Sequence, residues 1–138
     1  NNIIILDKDK GGNNAQRAIE NQIPRLKDNI IQLEKEGYRE IEFEDLFSDE
    51  IIAKALSKVY GVEVTVEDIL SARKASGNSK FSDMVVKLEV DKEFSVRFDD
   101  IGKHKFARNI RYIIQDESNI PQEITNLLQE IDKKIKGI

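Results

Sequence analysis

The stretch IIILDKDKGG, residues 3–12, decides the predicted fold. Its four apolar residues are typical of a buried parallel strand, which needs neighbours on both sides. The two glycines permit a tight turn into the helical pattern that follows. Asp7 and Asp9 therefore come just after the carboxyl end of a strand, where open α/β sheets bind their ligands. We expect an α/β fold in which helices flank a partial parallel sheet.

The rest of the chain is mainly helical in pattern. Apolar spacing and capping residues predict helices over 13–22, 24–36, 48–61, 66–74 and 103–116, and a last one from Pro121 onward. Pro24 separates the first two, because proline interrupts a helix. Alternating residues predict an edge strand over 39–43 and a hairpin over 84–98. The predicted domain thus has a helical C-terminal end.

Composition excludes several classes of protein. The 138 residues suit a single domain, and 22 basic against 26 acidic residues give a net charge of −4. The absence of cysteine and the single histidine exclude disulfides, a thiolate nucleophile and cysteine or multi-histidine metal sites. The longest apolar run, residues 3–6, is too short for a membrane span, so we expect a cytoplasmic protein. An acidic protein that contacts phosphate needs a local basic patch or a bridging metal.

The first candidate site is the aspartate pair in the turn after the first strand. Carboxylate oxygens at Asp7 and Asp9 suit Mg²⁺ or Mn²⁺, and the following glycines let the backbone turn around such a site. The alternative is a polar strand-to-helix turn in which the aspartates only cap the next helix. A calcium-binding EF-hand loop is excluded, because its twelfth position would be Ala18 instead of a glutamate.

A second candidate is the acidic stretch over 40–50, which holds six carboxylates and no basic residue. Glu44 and Asp45 follow the predicted edge strand, so they are expected beside the aspartate pair as further metal ligands. The other four acids are expected to form a solvated surface: Glu40, Glu42, Asp49 and Glu50.

The third candidate is a basic cluster over 103–111. Lys103 is placed at the start of a predicted helix after a glycine, where the side chain and the helix N-terminus together attract phosphate. His104 is expected to be an exposed helix residue. The remaining cations, Lys105, Arg108 and Arg111, form a solvated face by default.

Three motifs in order resemble the TOPRIM domain of the OLD-like (overcoming lysogenization defect) ATPase-linked nucleases. They are the Asp-x-Asp turn over 3–12, the Glu-Asp-Leu element over 41–47 and the Gly-Lys-x-x-Phe-Ala element over 102–107. The Ile120-Pro121 pair before a last helix fits the end of such domains. The resemblance implies a TOPRIM-like, Rossmann-like sheet and metal-dependent cleavage of DNA.

The resemblance also implies roles for particular residues. Asp7 and Asp9 would be catalytic metal ligands, Glu44 or Asp45 would hold or orient the metal, and Lys103 would stabilise the phosphate in the transition state. Contacts to DNA would come from the basic cluster, Lys103, Lys105, Arg108 and Arg111. The implied cofactor is Mg²⁺ or Mn²⁺.

The chain resembles the back part of a TOPRIM domain. Such domains begin with a strand followed by a catalytic Glu, and only two asparagines precede Ile3 here. We therefore expect a fragment of a larger protein that has an upstream ATPase domain, forms a homo-oligomer and acts in phage defence or DNA processing. The isolated 138 residues are expected to show little turnover.

Two other functions remain open from the sequence. A non-catalytic module that binds protein or DNA would keep the acidic turn for structure alone. A phosphatase of the haloacid-dehalogenase type also begins with an apolar strand and Asp-x-Asp. That family places Thr or Val two residues after the second Asp, where this chain has Gly11.

Overall fold

The predicted parallel sheet is present but small. The computed structural model describes residues 2–77, 79–115 and 120–137. Among these, β1 (Ile4–Leu6) pairs in parallel with β2 (Ile30–Gln32), with Ile5 opposite Ile31. Ile5 is 43% exposed, so β1 is not the fully buried strand that its composition predicts. The reason is that the described sheet has two strands, and β1 has a neighbour on one side only.

Helices make up most of the described chain. They are α1 (Lys10–Gln22), α2 (Asp49–Tyr60), α3 (Val66–Ala75), α4 (Phe81–Asp91), α5 (Phe98–Ile113) and α6 (Gln122–Lys136), with short 3₁₀ helices at Pro24–Asn29 and Phe43–Leu46. The mixed α/β class and the helical C-terminal end are confirmed. No helix in the described part of the chain combines the length and the apolar character that crossing a bilayer requires.

Local capping explains why α2 and α3 form where the sequence predicts them. The Ser48 hydroxyl accepts a hydrogen bond from the Ile51 amide at 3.3 Å, and α2 ends at Gly61, whose φ of 70° suits glycine. Thr65 and Asp68 form a reciprocal capping box with distances of 3.1 and 2.9 Å. These contacts join residues three apart, so they can be recognised from sequence alone.

The predicted helix over 24–36 is wrong. Pro24 starts a short 3₁₀ helix, and the chain then extends into β2. The β-branched Ile30 and Ile31 fit a strand as well as a helix, and pairing with β1 decides between the two. The edge strand predicted over 39–43 is also wrong, because it reduces to a single antiparallel bridge between Lys8 and Ile41.

The predicted hairpin over 84–98 is wrong as well. Helical spacing buries Phe81, Met84 and Leu88 on one face of α4, while the valines that suggested a strand lie on its exposed face. The helix predicted from residue 103 begins instead at Phe98. Its ring packs against those of Phe81 and Phe106, with centroids 5.4 and 5.9 Å apart, so the aromatic core extends the helix toward its N-terminus.

Two apolar clusters hold the fold together. The larger lies among α2, α3, α4 and α5, with α2 packed along α5. The smaller consists of Leu33, Ile41 and Leu46, which pack against the partly buried Ile124 and Leu127 of α6. Because Ile41 is fully buried in the smaller cluster, the chain that follows it is held at the end of β1. This arrangement positions the candidate site.

Candidate metal centre

Three carboxylates meet where β1 ends. One oxygen each of Asp7, Asp9 and Glu42 lies within 4.8 Å of the other two, and all three side chains are partly exposed. We call these three residues the acidic cluster. The sequence predicts the two aspartates as neighbours, whereas it places Glu42 on a solvated face. That interpretation of Glu42 is corrected by the structure.

Backbone pairing brings Glu42 to the aspartates. Lys8 and Ile41 exchange two backbone hydrogen bonds of 2.9 Å each, which fixes the next residue, Glu42, beside Asp7. The Phe43 amide then donates to Asp7 Oδ1 at 3.1 Å. On its other side, Glu42 Oε1 accepts from the Ser82 amide at 2.7 Å. The acidic cluster is therefore held by the N-terminal turn, the 39–47 segment and the start of α4.

Asp9 has a second role as the N-cap of α1. Its Oδ1 accepts a hydrogen bond from the Gly12 amide at 2.7 Å. The helix lies very close to the strand end, because a Cβ on Gly12 would come within 1.8 Å of the Asp7 carbonyl oxygen. The second glycine of the motif is thus required by close approach of the backbone. Asp9 is thus the N-cap of α1 and also a member of the acidic cluster.

Lys80 lies against the acidic cluster and was missed by sequence reasoning. Its Nζ is 3.1 Å from Asp9 Oδ2, in a contact that joins residues 71 positions apart. No motif marks Lys80, which directly precedes α4. A contact over this distance in sequence has no local signal.

The environment shifts the two aspartate pKa values in opposite directions. Burial, then the charges of Asp9 and Glu42, raise the pKa of the Asp7 carboxyl. The Gly12 amide and the Lys80 ammonium lower the pKa of Asp9 despite partial burial. Neighbouring carboxyls with diverging pKa values are a pattern found at functional sites.

Asp45, a predicted metal ligand, has a different place. It is fully buried, and its Oδ1 lies 2.8 Å from Arg73 Nη1. Its Oδ2 accepts from the amides of Glu42 and Phe81 at 2.9 and 3.0 Å. These groups surround the carboxylate, so Asp45 lies in a buried ion pair outside the acidic cluster, and its role as a metal ligand stays a prediction. By accepting the hydrogen bond of the Glu42 amide, Asp45 fixes the backbone of one residue of the acidic cluster.

Glu44 lies next to the acidic cluster but not in it. Burial raises its pKa, and the charges of Glu42 and Asp7 add to this effect. Glu44 lines a mainly apolar cavity of about 400 Å³ together with Phe43 and Phe106. The Glu44 carboxylate adds to the negative electrostatic potential near the acidic cluster. It does not supply any of the three clustered oxygens.

The structure separates the predicted DNA-binding residues of α5. Lys103 is the sixth residue of α5, so the prediction that it lies at a helix N-terminus is wrong. Lys103 and Arg111 line the apolar cavity, whereas Lys105 and Arg108 do not. All four side chains are exposed. The cation in contact with the acidic cluster is Lys80.

The donor set of the acidic cluster fits a hard divalent cation. Three carboxylates offer oxygen ligands, which Mg²⁺ and Mn²⁺ prefer over nitrogen and sulfur. Asp9 already accepts from Gly12 and Lys80, but each carboxylate oxygen has a second lone pair. Partial exposure leaves the cluster open to solvent on one side. Asp7, Asp9 and Glu42 are therefore the residues that could hold a metal.

Comparison with protein-family models, curated proteins and solved structures gives no match to this chain. The features of the chain that bear on function are therefore the acidic cluster and the charged groups around it. The three carboxylates and Lys80 combine negative and positive groups within a few ångströms of one another. Such a combination can bind a cation and contact an anion at the same place.

Proposed function

We propose that this chain is part of a metal-dependent DNA endonuclease that hydrolyses phosphodiester bonds with Mg²⁺ or Mn²⁺. The observation that carries the proposal is the convergence of Asp7, Asp9 and Glu42, whose ligand oxygens lie within 4.8 Å of one another. Their place after β1 is where open α/β sheets bind ligands. The motif resemblance to OLD-like TOPRIM nucleases adds support from the sequence.

Each residue of the site has a specific task in this proposal. A bound Mg²⁺ or Mn²⁺ would act as a Lewis acid and would activate water. Asp7, Asp9 and Glu42 would hold the ion with carboxylate oxygens. Lys80 offers its ammonium to the scissile phosphate, and its contact with Asp9 keeps the side chain at the site beforehand. Lys80 thus takes the role that the resemblance assigns to Lys103.

The wider proposal follows the resemblance. The chain would act together with an upstream ATPase domain and a preceding Glu-bearing strand, as a homo-oligomer, in phage defence or DNA processing. The net charge of −4 opposes the approach of DNA, and a bound divalent ion would offset the repulsion between the acidic cluster and the phosphate.

A non-catalytic interaction module is the second candidate, and one observation favours it. Both carboxylate oxygens of Asp9 already have partners within the chain, Gly12 and Lys80. A turn whose carboxylate oxygens have hydrogen-bond partners within the chain can have a purely structural role. The two candidates differ in whether the acidic cluster binds a divalent cation.

Mn²⁺ binding tests the metal centre directly. We expect electron paramagnetic resonance to show one bound Mn²⁺ per chain, and Asp7→Ala/Asp9→Ala to lose it. Asp28→Ala is the matched control, because Asp28 is exposed and lies outside the acidic cluster. Equal binding by the double variant would refute the metal centre and leave the interaction module as the better explanation.

Nicking of supercoiled plasmid tests the activity in the longer protein that includes the Glu-bearing strand and the ATPase. We expect Asp7→Ala and Asp9→Ala to abolish nicking. We expect Lys80→Ala to reduce the rate by two or more orders of magnitude, the scale of one lost transition-state contact. Lys103→Ala is compared with it. A larger loss for Lys103→Ala would return the phosphate-stabilising role to α5.

A further inference from the structure

A second charged feature lies on the other side of the aspartate turn. Four cations line an open cleft of about 580 Å³: Lys8, Lys10, Arg17 and Arg39. The other lining residues are the amides Asn13, Asn14 and Gln32 and one carboxylate, Glu40. We call this the basic cleft. Its described lining has a net charge of +3, in a protein whose total is −4.

The four cations of the basic cleft have no acidic partners in the described parts of the chain. The ion pairs there involve other lysines and arginines. Unneutralised like charges that face one cleft repel each other, and they attract an anion from solution. Charge complementarity therefore indicates an anionic ligand with several charges.

The sequence explains why the two charged features adjoin. Along Asp7-Lys8-Asp9-Lys10 the acids and the bases alternate. The two aspartates enter the acidic cluster, and the two lysines line the basic cleft. Arg17 joins from α1 and Arg39 from the segment before the Lys8–Ile41 bridge. The basic cleft and the acidic cluster are thus lined by consecutive residues of one turn.

We propose that the basic cleft binds the phosphate backbone of a DNA strand and delivers it to the acidic cluster. The choice of DNA as the source of phosphate rests on the proposed nuclease function. The inference that the cleft binds a polyanion depends only on the charges of its lining residues. The side-chain amides of Asn13 and Asn14 supply additional hydrogen-bond donors for phosphate oxygens, as is common in contacts with the DNA backbone.

Fluorescence anisotropy with a labelled 20-nucleotide thymidine strand tests the proposal. The measurement is made in EDTA, so it does not depend on a metal or on cleavage. The double variant Arg17→Gln/Arg39→Gln removes two cations that line the basic cleft and lie outside the acidic cluster. We expect at least about tenfold weaker binding and a salt slope smaller by about 1.4, since each single-strand phosphate contact contributes about 0.7.

Lys54→Gln/Lys58→Gln is the matched control, because it removes the same charge from an exposed face of α2 outside the cleft. We expect it to change binding less than twofold. Circular dichroism verifies that both double variants are folded. An equal loss in both, a larger loss in the control, or no binding by the unaltered chain would overturn the proposal.

Two further outcomes separate the possible sources of phosphate and the two proposals. Competition by inorganic tripolyphosphate at concentrations near those of the strand would indicate a site for small polyphosphates and would overturn the strand assignment. If the strand binds in the cleft while Mn²⁺ does not bind the acidic cluster, the nuclease function fails and the basic cleft stands. If Mn²⁺ binds the acidic cluster while the strand does not bind in the cleft, the proposal of a strand-binding cleft fails and the proposed metal site stands.

Discussion

Asp7 and Asp9 are two residues apart, yet they contribute to stability with opposite sign. A carboxyl with a raised pKa in the folded state costs stability as pH rises from about 3.8 through that pKa. Asp7 is in this position because of burial and its acidic neighbours. Asp9, with a lowered pKa, adds stability that is present above about 3.8 and lost as pH falls through the lowered value.

We expect Asp7→Asn to stabilise the chain at pH 7 by roughly 0.5 kcal/mol, because it removes a disfavoured charge and keeps an acceptor for the Phe43 amide. The gain should vanish well below pH 3.8, where the carboxyl is neutral in both states. Asp9→Ala should instead destabilise by about 1 kcal/mol at pH 7 through loss of the α1 cap. Thermal unfolding at pH 7 and pH 3 measures both. Destabilisation by Asp7→Asn at pH 7 would contradict the assigned charge environment.

Asp45 is the residue whose removal should cost most. Asp45→Ala leaves Arg73 buried without its closest partner and two backbone amides without an acceptor. Breaking such a buried pair costs about 3–5 kcal/mol. Urea unfolding measures the loss, and the exposed Asp28→Ala should stay within about 0.5 kcal/mol. A loss below 1 kcal/mol for Asp45→Ala would contradict its structural role.

Among the elements, the junction of β1 and α1 is the most sensitive to side-chain volume. Gly12→Ala would place a Cβ 1.8 Å from the Asp7 carbonyl oxygen, so α1 must move away from the strand. We expect a loss of about 2–3 kcal/mol, the scale of overpacking, and weaker Mn²⁺ binding. Thermal unfolding and paramagnetic resonance measure the two effects.

Gly11→Ala is the control for this junction. Its Cβ would meet the nearest atom, Asp9 Oδ1, at 3.4 Å, an ordinary contact distance. Because alanine favours a helix more than glycine does, we expect no loss and a gain of up to about 1 kcal/mol. Equal losses at both glycines would contradict the assignment of the Gly12 loss to the close approach of α1 and β1.

Elements defined by contacts close in sequence were predictable, and those defined by distant pairing were not. Ser48 and Thr65 mark their helices through caps that join residues three apart. No capping residue identifies the structure of Ile30 and Ile31, and pairing with β1 makes them a strand. Val86 and Val90 suggested alternation, although burial of the opposite face of α4 determines a helix.

At the scale of the whole molecule, a bound metal should stabilise the fold. The acidic cluster brings together like charges that repel each other in the absence of a cation. At Mn²⁺ ten times above its dissociation constant, binding adds about 1.4 kcal/mol. We expect a rise in Tm of roughly 4–6 °C by calorimetry. Asp7→Ala/Asp9→Ala should abolish the rise, and an unchanged rise in that variant would place the ion elsewhere.

The candidate site was half predictable from sequence. Asp7 and Asp9 carry a recognisable pattern because both lie in one turn after an apolar strand. In the sequence, Glu42 is one of six acidic residues over 40–50 and nothing distinguishes it from the others. The Lys8–Ile41 bridge is what brings it to the aspartates. Lys80 has no pattern at all, since its partner Asp9 is 71 positions away. Tertiary pairing supplies this information, and no local spacing encodes it.

The sequence separations within the site also set the order in which it assembles. Capped helices close over three residues, whereas the contacts that build the acidic cluster span 36, 40 and 71 positions. Closing long loops is slow because much chain entropy is lost before any contact forms. The acidic cluster should therefore be among the last features to form during folding. A partly folded chain would have its helices without sequestering divalent ions, and capture of Mn²⁺ in a refolding experiment would report the final step.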